Sequence, residues 1–303
     1  MNRPTMKKLI FALIITVSFI TSSWAEAKWK STEPFALVPV QGTNAGQIYK
    51  PGDFGIAFNY LYKEADQLYD GDSKISNMGP VEKKKINVHV LKLRYGLSEK
   101  WDVRVAIPFS DIDVENAAGE SLATPHGIGD TGIVFRHQFL NQQKGAPVFL
   151  SAGIGGELPT GKTDSDGTGT GAWSPFAEVG ITYVWGRQRI DTELNYYLRM
   201  EGNDDYEQGD RFDYNLHYAY ALNHYFDVGF EINARWTGKD ETDSFKNENS
   251  GGNEIFAGPE VHLKWLAKNA FLSFFVPFPV YQDVNGLQLR ENWRFQCKFG
   301  IVF

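Results

Sequence analysis

The stretch FDYNLHYAYAL, Phe212 to Leu222, alternates two kinds of side chain at every step. Phe212, Tyr214, Leu216, Tyr218, Tyr220 and Leu222 fall on one parity, and Asp213, Asn215, His217, Ala219 and Ala221 on the other. Successive side chains of an extended chain point to opposite faces, so this is a strand with one apolar and one polar surface. The next segment, FDVGFEINARW, repeats the pattern: Phe226, Val228, Phe230, Ile232 and Trp236 oppose Asp227, Glu231, Asn233 and Arg235.

The same template fits twelve segments. They lie near 52–63, 86–97, 100–110, 130–140, 147–158, 172–185, 189–200, 211–222, 225–237, 254–265, 270–280 and 288–303. No internal repeat and no amphipathic helix interrupts them. Short turns near 98, 141, 186, 223 and 267 alternate with longer polar connections near 64–85, 111–129, 159–171, 201–210, 238–253 and 281–287. Strict alternation of short and long connections between amphipathic strands predicts an all-β, antiparallel up-and-down transmembrane β-barrel, with periplasmic turns and extracellular loops. An even strand count puts both ends of the barrel on the periplasmic side.

A soluble β-sandwich also has alternating strands. Two features argue against it. The apolar faces carry almost no charge, Glu291 being the clear exception, while the opposite faces are heavily charged. Trp101, Phe139, Trp185, Tyr225 and Trp265 all stand beside short turns, as a girdle at a membrane interface would. Mean hydropathy is −0.34, a value that misleads for barrels because only alternate residues meet lipid. Pro108, Pro175, Pro259 and Pro277 fall inside expected strands, where each removes a ladder hydrogen bond and calls for a bulge or bend.

The N-terminus reads as an export signal over residues 1–25. Arg3, Lys7 and Lys8 precede the apolar run Leu9 to Ile20, and small residues allow cleavage after Ala25 or Ala27. Residues 26–51 then form either a periplasmic segment or a plug folded into the lumen, and 52–303 form the barrel. Loss of the signal would move the formal net charge from −7 to −10, which disfavours nucleic acid as a partner. The single cysteine, Cys297, excludes an internal disulfide. The last residues, FQCKFGIVF, put Phe295, Cys297, Phe299, Ile301 and Phe303 on one face. This ending resembles the C-terminal signal read by the outer-membrane barrel-insertion machinery, and it directs Cys297 toward lipid.

GELPTGKT, Gly156 to Thr163, fits the phosphate-loop pattern G-x-x-x-x-G-K-[ST]. A phosphate loop must open a helix, whose N-terminal amides meet the anion. Residues Asp164 to Pro175 contain no helix-forming run, so the match is a coincidence of a Gly-rich loop and no nucleotide is expected. The same region, with GIGDTGIVFRHQF (127–139) and GGELPTGKTDSDGTGTGAWSPFAEVGITY (155–183), resembles the outer-membrane transporter family named for the meta-pathway of phenol degradation. The resemblance is sharpest over 127–185. It implies an exported outer-membrane barrel with a role in passing a small solute, aromatic or hydrophobic, and brings no catalytic residues.

By parity the lumen receives ten basic and ten acidic side chains. Arg94, Arg104, Arg136, Arg199, Arg235 and Arg294 are the candidate pore-lining or substrate-binding residues, and Lys92 shares their face. A balanced lumen favours neither cations nor anions outright, and crossed ion pairs bracing the interior are the alternative use of these charges. The acidic outer loops, such as 203–210 and 240–245, face water and lipopolysaccharide and lack the spacing of a calcium loop. No metal or cofactor is expected. A barrel hydrolase would need a Ser or Thr nucleophile beside a His on the wall. His137 and His89 face outward without such a partner, so no enzymatic activity is expected. The leading expectation is a passive channel, and a structural or adhesive barrel that passes nothing is the alternative.

Overall fold

The computed structural model describes residues 45–76, 80–164, 167–267 and 270–303, and the side chains within these except those of 265–267. The export signal, residues 26–44 and the side chain of Trp265 lie outside the described residues. Twelve staves build the wall: β1 (Phe54–Asp70), β2 (Lys83–Gly96), β3 (Trp101–Glu115), β4 (Thr131–Leu140), β5 (Phe149–Leu158), β6 (Ser174–Trp185), β7 (Gln188–Tyr197), β8 (Arg211–Ala221), β9 (Phe226–Thr237), β10 (Gly252–Ala267), β11 (Ala270–Phe275 with Phe278–Val284) and β12 (Leu287–Val302). Each pairs antiparallel with its sequence neighbours, and β1 pairs with β12 from Gly55↔Val302 to Asp70↔Leu287, which closes the ring. Closing the ring pairs the first and last strands, as a chain crossing lipid requires.

The burial pattern is inverted relative to a water-soluble protein. Arg136, His217, Glu231, Glu260 and Asp191 are among the most deeply buried side chains, while Phe58, Phe135, Ile154, Phe230 and Phe299 are exposed. The polar interior and the apolar exterior follow the two parities read from the strands. At the short-turn end, Trp101, Phe139 and Tyr225 are exposed, and Trp185 stacks on Tyr183 with ring centroids 4.9 Å apart. His137 sits between Trp101 (4.7 Å) and Phe139 (4.5 Å), an aromatic member of this girdle.

Three local readings change. Positions 64–70 and 83–85 belong to β1 and β2 instead of to a loop. Their residues, including Glu64, Asp66, Gln67 and the run Lys83–Lys85, are polar on both faces, so a search for one apolar face stops short of them. Glu291 is not on the lipid face. The β1–β12 register shifts around Ala65↔Glu291, with Asn292 extra, and a one-residue bulge reverses the facing of the residues beyond it. Glu291 therefore meets Lys63 at 3.2 Å and pairs with Arg294.

The prolines act unequally. Pro175 stays in register with Gly156, and at Pro108 the partner of β3 passes from β4 to the short strand His126–Ile128. Pro277 breaks β11 in two at the level of Gly258 of β10, next to Pro259. Above that break, Phe278–Val284 pairs with β10 but forms no ladder with β12 among the described residues. The gap is bridged by Arg294 N donating to Pro277 O (3.0 Å) and Gln282 Nε2 donating to Glu291 O (3.1 Å).

Cys297 lies on the outward parity of β12, between the lumen-facing Gln296 and Lys298. In liposomes a membrane-soluble maleimide should label it and a charged, membrane-impermeant one should not. Equal labelling by both reagents would mean that β12 is in the other register.

Candidate functional site

The lumen has three levels. At the short-turn end, residues 45–50 run inside the barrel and are held by lumen side chains. Arg136 donates to Gln47 O (3.0 Å) and to Ala45 O, Arg94 donates to Gln47 O (2.7 Å), and Gln138 Nε2 donates to Gly46 O (3.0 Å). In return Gly46 N donates to Thr182 Oγ1 (3.1 Å) and Tyr49 N to Asp102 Oδ2 (3.0 Å). The glycine at 180 makes the fit possible, since a Cβ there would collide with the Ala45 backbone. Arg94 and Arg136 are thus engaged with the chain's own N-terminal segment, Arg94 also with Asp102 and Arg136 with Glu178 at 2.6 Å.

Above this level a cavity of about 260 Å³ opens, lined by residues of β2 to β9. Its lining mixes the two kinds of side chain along the same strands. Phe176 and Tyr197 approach with ring centroids 5.0 Å apart, and Val90, Ala106 and Pro108 add apolar surface. Among them stand Lys92, Arg104, Arg211 and Arg235 with Asp130, Glu157, Glu193 and Asp213. Arg104 pairs with Glu178 (2.6 Å), and Asp213 accepts from Arg235 (2.7 Å) while Arg211 stands 3.1 Å from it. The Arg211 guanidinium also lies 3.8 Å over the Tyr197 ring, a cation–π stack that orients both groups. Lys92 has no ion pair among the described residues.

Of the six arginines singled out in the sequence, Arg104 and Arg235 line this cavity. Arg199 pairs with Glu157 at its upper edge. Arg294 sits apart, between Glu291 and Glu254, with its guanidinium 3.5 Å over the Phe256 ring. Lys92 and Arg211 belong to the cavity instead. Parity already put Lys92 inside, but parity does not tell which inward cations are neutralised. That depends on pairing across strands far apart in sequence.

The long-loop end is tied down by carboxylates. Asp130 accepts from Gly161 N (3.1 Å), Thr170 N (2.8 Å) and Thr170 Oγ1 (2.5 Å). The GIGD and TGKT stretches are therefore one unit. The Gly161 amide, which the phosphate-loop pattern would turn toward a nucleotide, is already given to Asp130. Farther out, Asp240 accepts from Gly209 N (2.9 Å) and from the Tyr206 hydroxyl (3.1 Å). Burial, with the Asp240 charge beside it, pushes the Tyr206 phenol up to about 12.

Residues 84–280 match the model of the family described as "Putative MetA-pathway of phenol degradation". The chain belongs to this family. It is a bacterial outer-membrane β-barrel, and its fold is close to that of the COG4313 outer membrane channel from Pseudomonas putida F1. That structure is 17% identical over 88% of this chain and 100% of its own, with a TM-score of 0.71. A NanC porin (8% identical, covering 80% of this chain and 98% of its own, TM-score 0.46) and a FadL homologue from Pseudomonas aeruginosa (6%, 82% and 90%, TM-score 0.45) are more distant barrels. No curated protein matches the chain.

Gly180→Leu should force residues 45–50 out of the lumen without touching the ion pairs above. The single-channel conductance of the variant in planar bilayers should then exceed that of the wild type. An unchanged conductance in a folded variant would mean that the segment does not narrow the passage.

Proposed function

We propose that the protein is a passive outer-membrane channel for small aromatic anions such as benzoates and phenolates. The observation that carries this reading is Lys92, a basic side chain that has no ion pair among the described residues and lines the same cavity as Phe176 and Tyr197. A benzoate presents a flat apolar ring and a carboxylate at its edge. Phe176 and Tyr197 would receive the ring, with Lys92 on the carboxylate and Arg104 and Arg211 close by. An apolar cavity of about 150 Å³ is enough for benzene, so a site of about 260 Å³ admits one substituted ring with water. The paired charges around it supply polarity without a deep electrostatic well, so a bound solute can leave again.

Family membership agrees with an aromatic solute, and the similar fold of an outer membrane channel agrees with passage. Residues 45–50 act in this reading as a constriction on the periplasmic side. The acidic outer loops meet lipopolysaccharide and the apolar exterior meets lipid. The C-terminal face ending in Phe303 is what the insertion machinery reads. In the folded barrel that terminus is locked to the first strand, Phe303 N donating to Phe54 O at 2.8 Å.

The test is solute entry into liposomes carrying the purified barrel. Benzoate should enter faster than a neutral sugar of similar size. A hydrogen bond to a charged group is worth about 1.5–3 kcal/mol, so Lys92→Gln should slow benzoate roughly tenfold or more and leave the neutral solute unchanged. Equal loss for both solutes would argue for a general pore, and no entry of any solute would return the protein to a structural or adhesive role.

A further inference from the structure

Below the cavity, on the side of β8 to β10, the lumen contains a cluster that the proposed passage does not use. His217 comes from β8, and Glu260 and His262 come from β10. The three are between 0% and 1% exposed, and one donor atom of each lies within 4.8 Å of the other two. The intervening strand β9 presents Gly229 to the lumen at this level. A Cβ there would stand 2.9 Å from Tyr218 O, 3.2 Å from His217 Nε2 and 3.5 Å from Glu260 Oε2, so the missing side chain leaves the space across which the two side chains meet.

Each imidazole is oriented by a partner on its other nitrogen. His217 Nδ1 is 3.0 Å from Asp191 Oδ2, and Asp191 is itself held by Arg189 at 2.6 Å. His262 Nδ1 is 2.7 Å from Ser273 Oγ. With each Nδ1 proton given to its oxygen partner, each Nε2 turns a lone pair toward the Glu260 carboxylate, at 3.0 Å from His217 and 3.2 Å from His262. Two lone pairs facing a carboxylate need a cation between them. Protons on the two imidazoles are one answer, each making an ion pair with the carboxylate.

A metal ion is the other answer. Ligands about 2.0–2.1 Å from one zinc ion stand roughly 3.3–3.4 Å apart in a tetrahedron, and the two nitrogen–oxygen separations, His217 to Oε2 and His262 to Oε1 of Glu260, lie close to that. Oxygen partners on the far nitrogen of each imidazole are the usual outer support of a metal-binding histidine. We propose that His217, Glu260 and His262 form a metal site inside the barrel. It takes a divalent ion of the zinc class through two Nε2 atoms and the Glu260 carboxylate, with water as a further ligand. Imidazole with carboxylate selects zinc, copper or nickel over calcium and magnesium. The bound ion would fasten β8 to β10 across β9. No motif announces it in the sequence, because its ligands are 43 residues apart on strands that meet only through a third.

The experiment uses the full-length barrel in detergent, free of any histidine tag and stripped with a chelator. Titration with Zn²⁺ alone, followed by calorimetry and elemental analysis, should show one equivalent bound, and Co²⁺ should give the visible spectrum of a nitrogen–oxygen site. Ser273→Ala, which leaves all three ligands in place, should weaken the affinity about tenfold. Gly229→Ala should weaken it by filling the space at His217, and His262→Asn should abolish stoichiometric binding. Heat-dependent mobility on gels reports whether each variant is folded. A wild-type barrel that takes up neither Zn²⁺ nor Co²⁺ at millimolar concentration overturns the proposal, and so do folded Gly229→Ala and Ser273→Ala proteins that bind as the wild type does.

Discussion

A peptide group in hydrocarbon has no water to bond with, and every other feature of this protein answers to that fact. An unpaired amide or carbonyl in the bilayer core costs several kcal/mol, so a chain crossing with strands must close them into a ring. The β1–β12 ladder does this, and its consequence reaches the side chains. A closed wall has only an inside and an outside. Lipid claims the outside for Phe, Leu, Ile and Val, and polar residues are left to fill the lumen. The buried arginines and carboxylates are the complement of an apolar exterior, and they coexist through pairs of opposite sign, some across strands and some within one.

Those pairs divide the interior by use. Near the short turns, cations are spent on the chain's own backbone: Arg94 and Arg136 hold the carbonyls of residues 45–47. Midway up, Arg104 and Glu178 neutralise each other and leave Lys92 as the exception. At the long-loop end, Asp130 and Asp240 accept backbone amides and bind the loops to one another. Breaking a buried pair leaves the remaining charge uncompensated, at a cost of about 3–5 kcal/mol. The interior therefore behaves as a linked set in which most charges are structural and few are available to a passing molecule.

Much of this is legible in the sequence. Twelve strands, the alternation of short and long connections and the lipid-facing set of β8 and β9 all arise from period-two patterning, because lipid and lumen impose opposite chemistry on adjacent residues. What parity cannot reach is anything that depends on distance across the barrel. Glu291 is misassigned because one extra residue at Asn292 reverses the register. Arg94 and Lys92 look equivalent in the sequence, two positions apart on the same strand. They separate only when Asp102 and Gln47 arrive beside the first and no ion pair forms at the second among the described residues. His217 is visible as an inward residue, but its relation to His262 exists only through Gly229 on the strand between them.

The interrupted eleventh strand changes the mechanics of the wall. In an unbroken barrel, strain applied at one stave is carried around the whole circumference, because every neighbouring pair is a continuous ladder. Here the upper halves of β11 and β12 are joined by the Arg294–Pro277 and Gln282–Glu291 bonds, with no ladder between them among the described residues. The ring is laddered at its base and slit toward its rim, so the wall is better braced where residues 45–50 are seated than at the long-loop end. Pro277 stands at the break and has no amide of its own to offer β12.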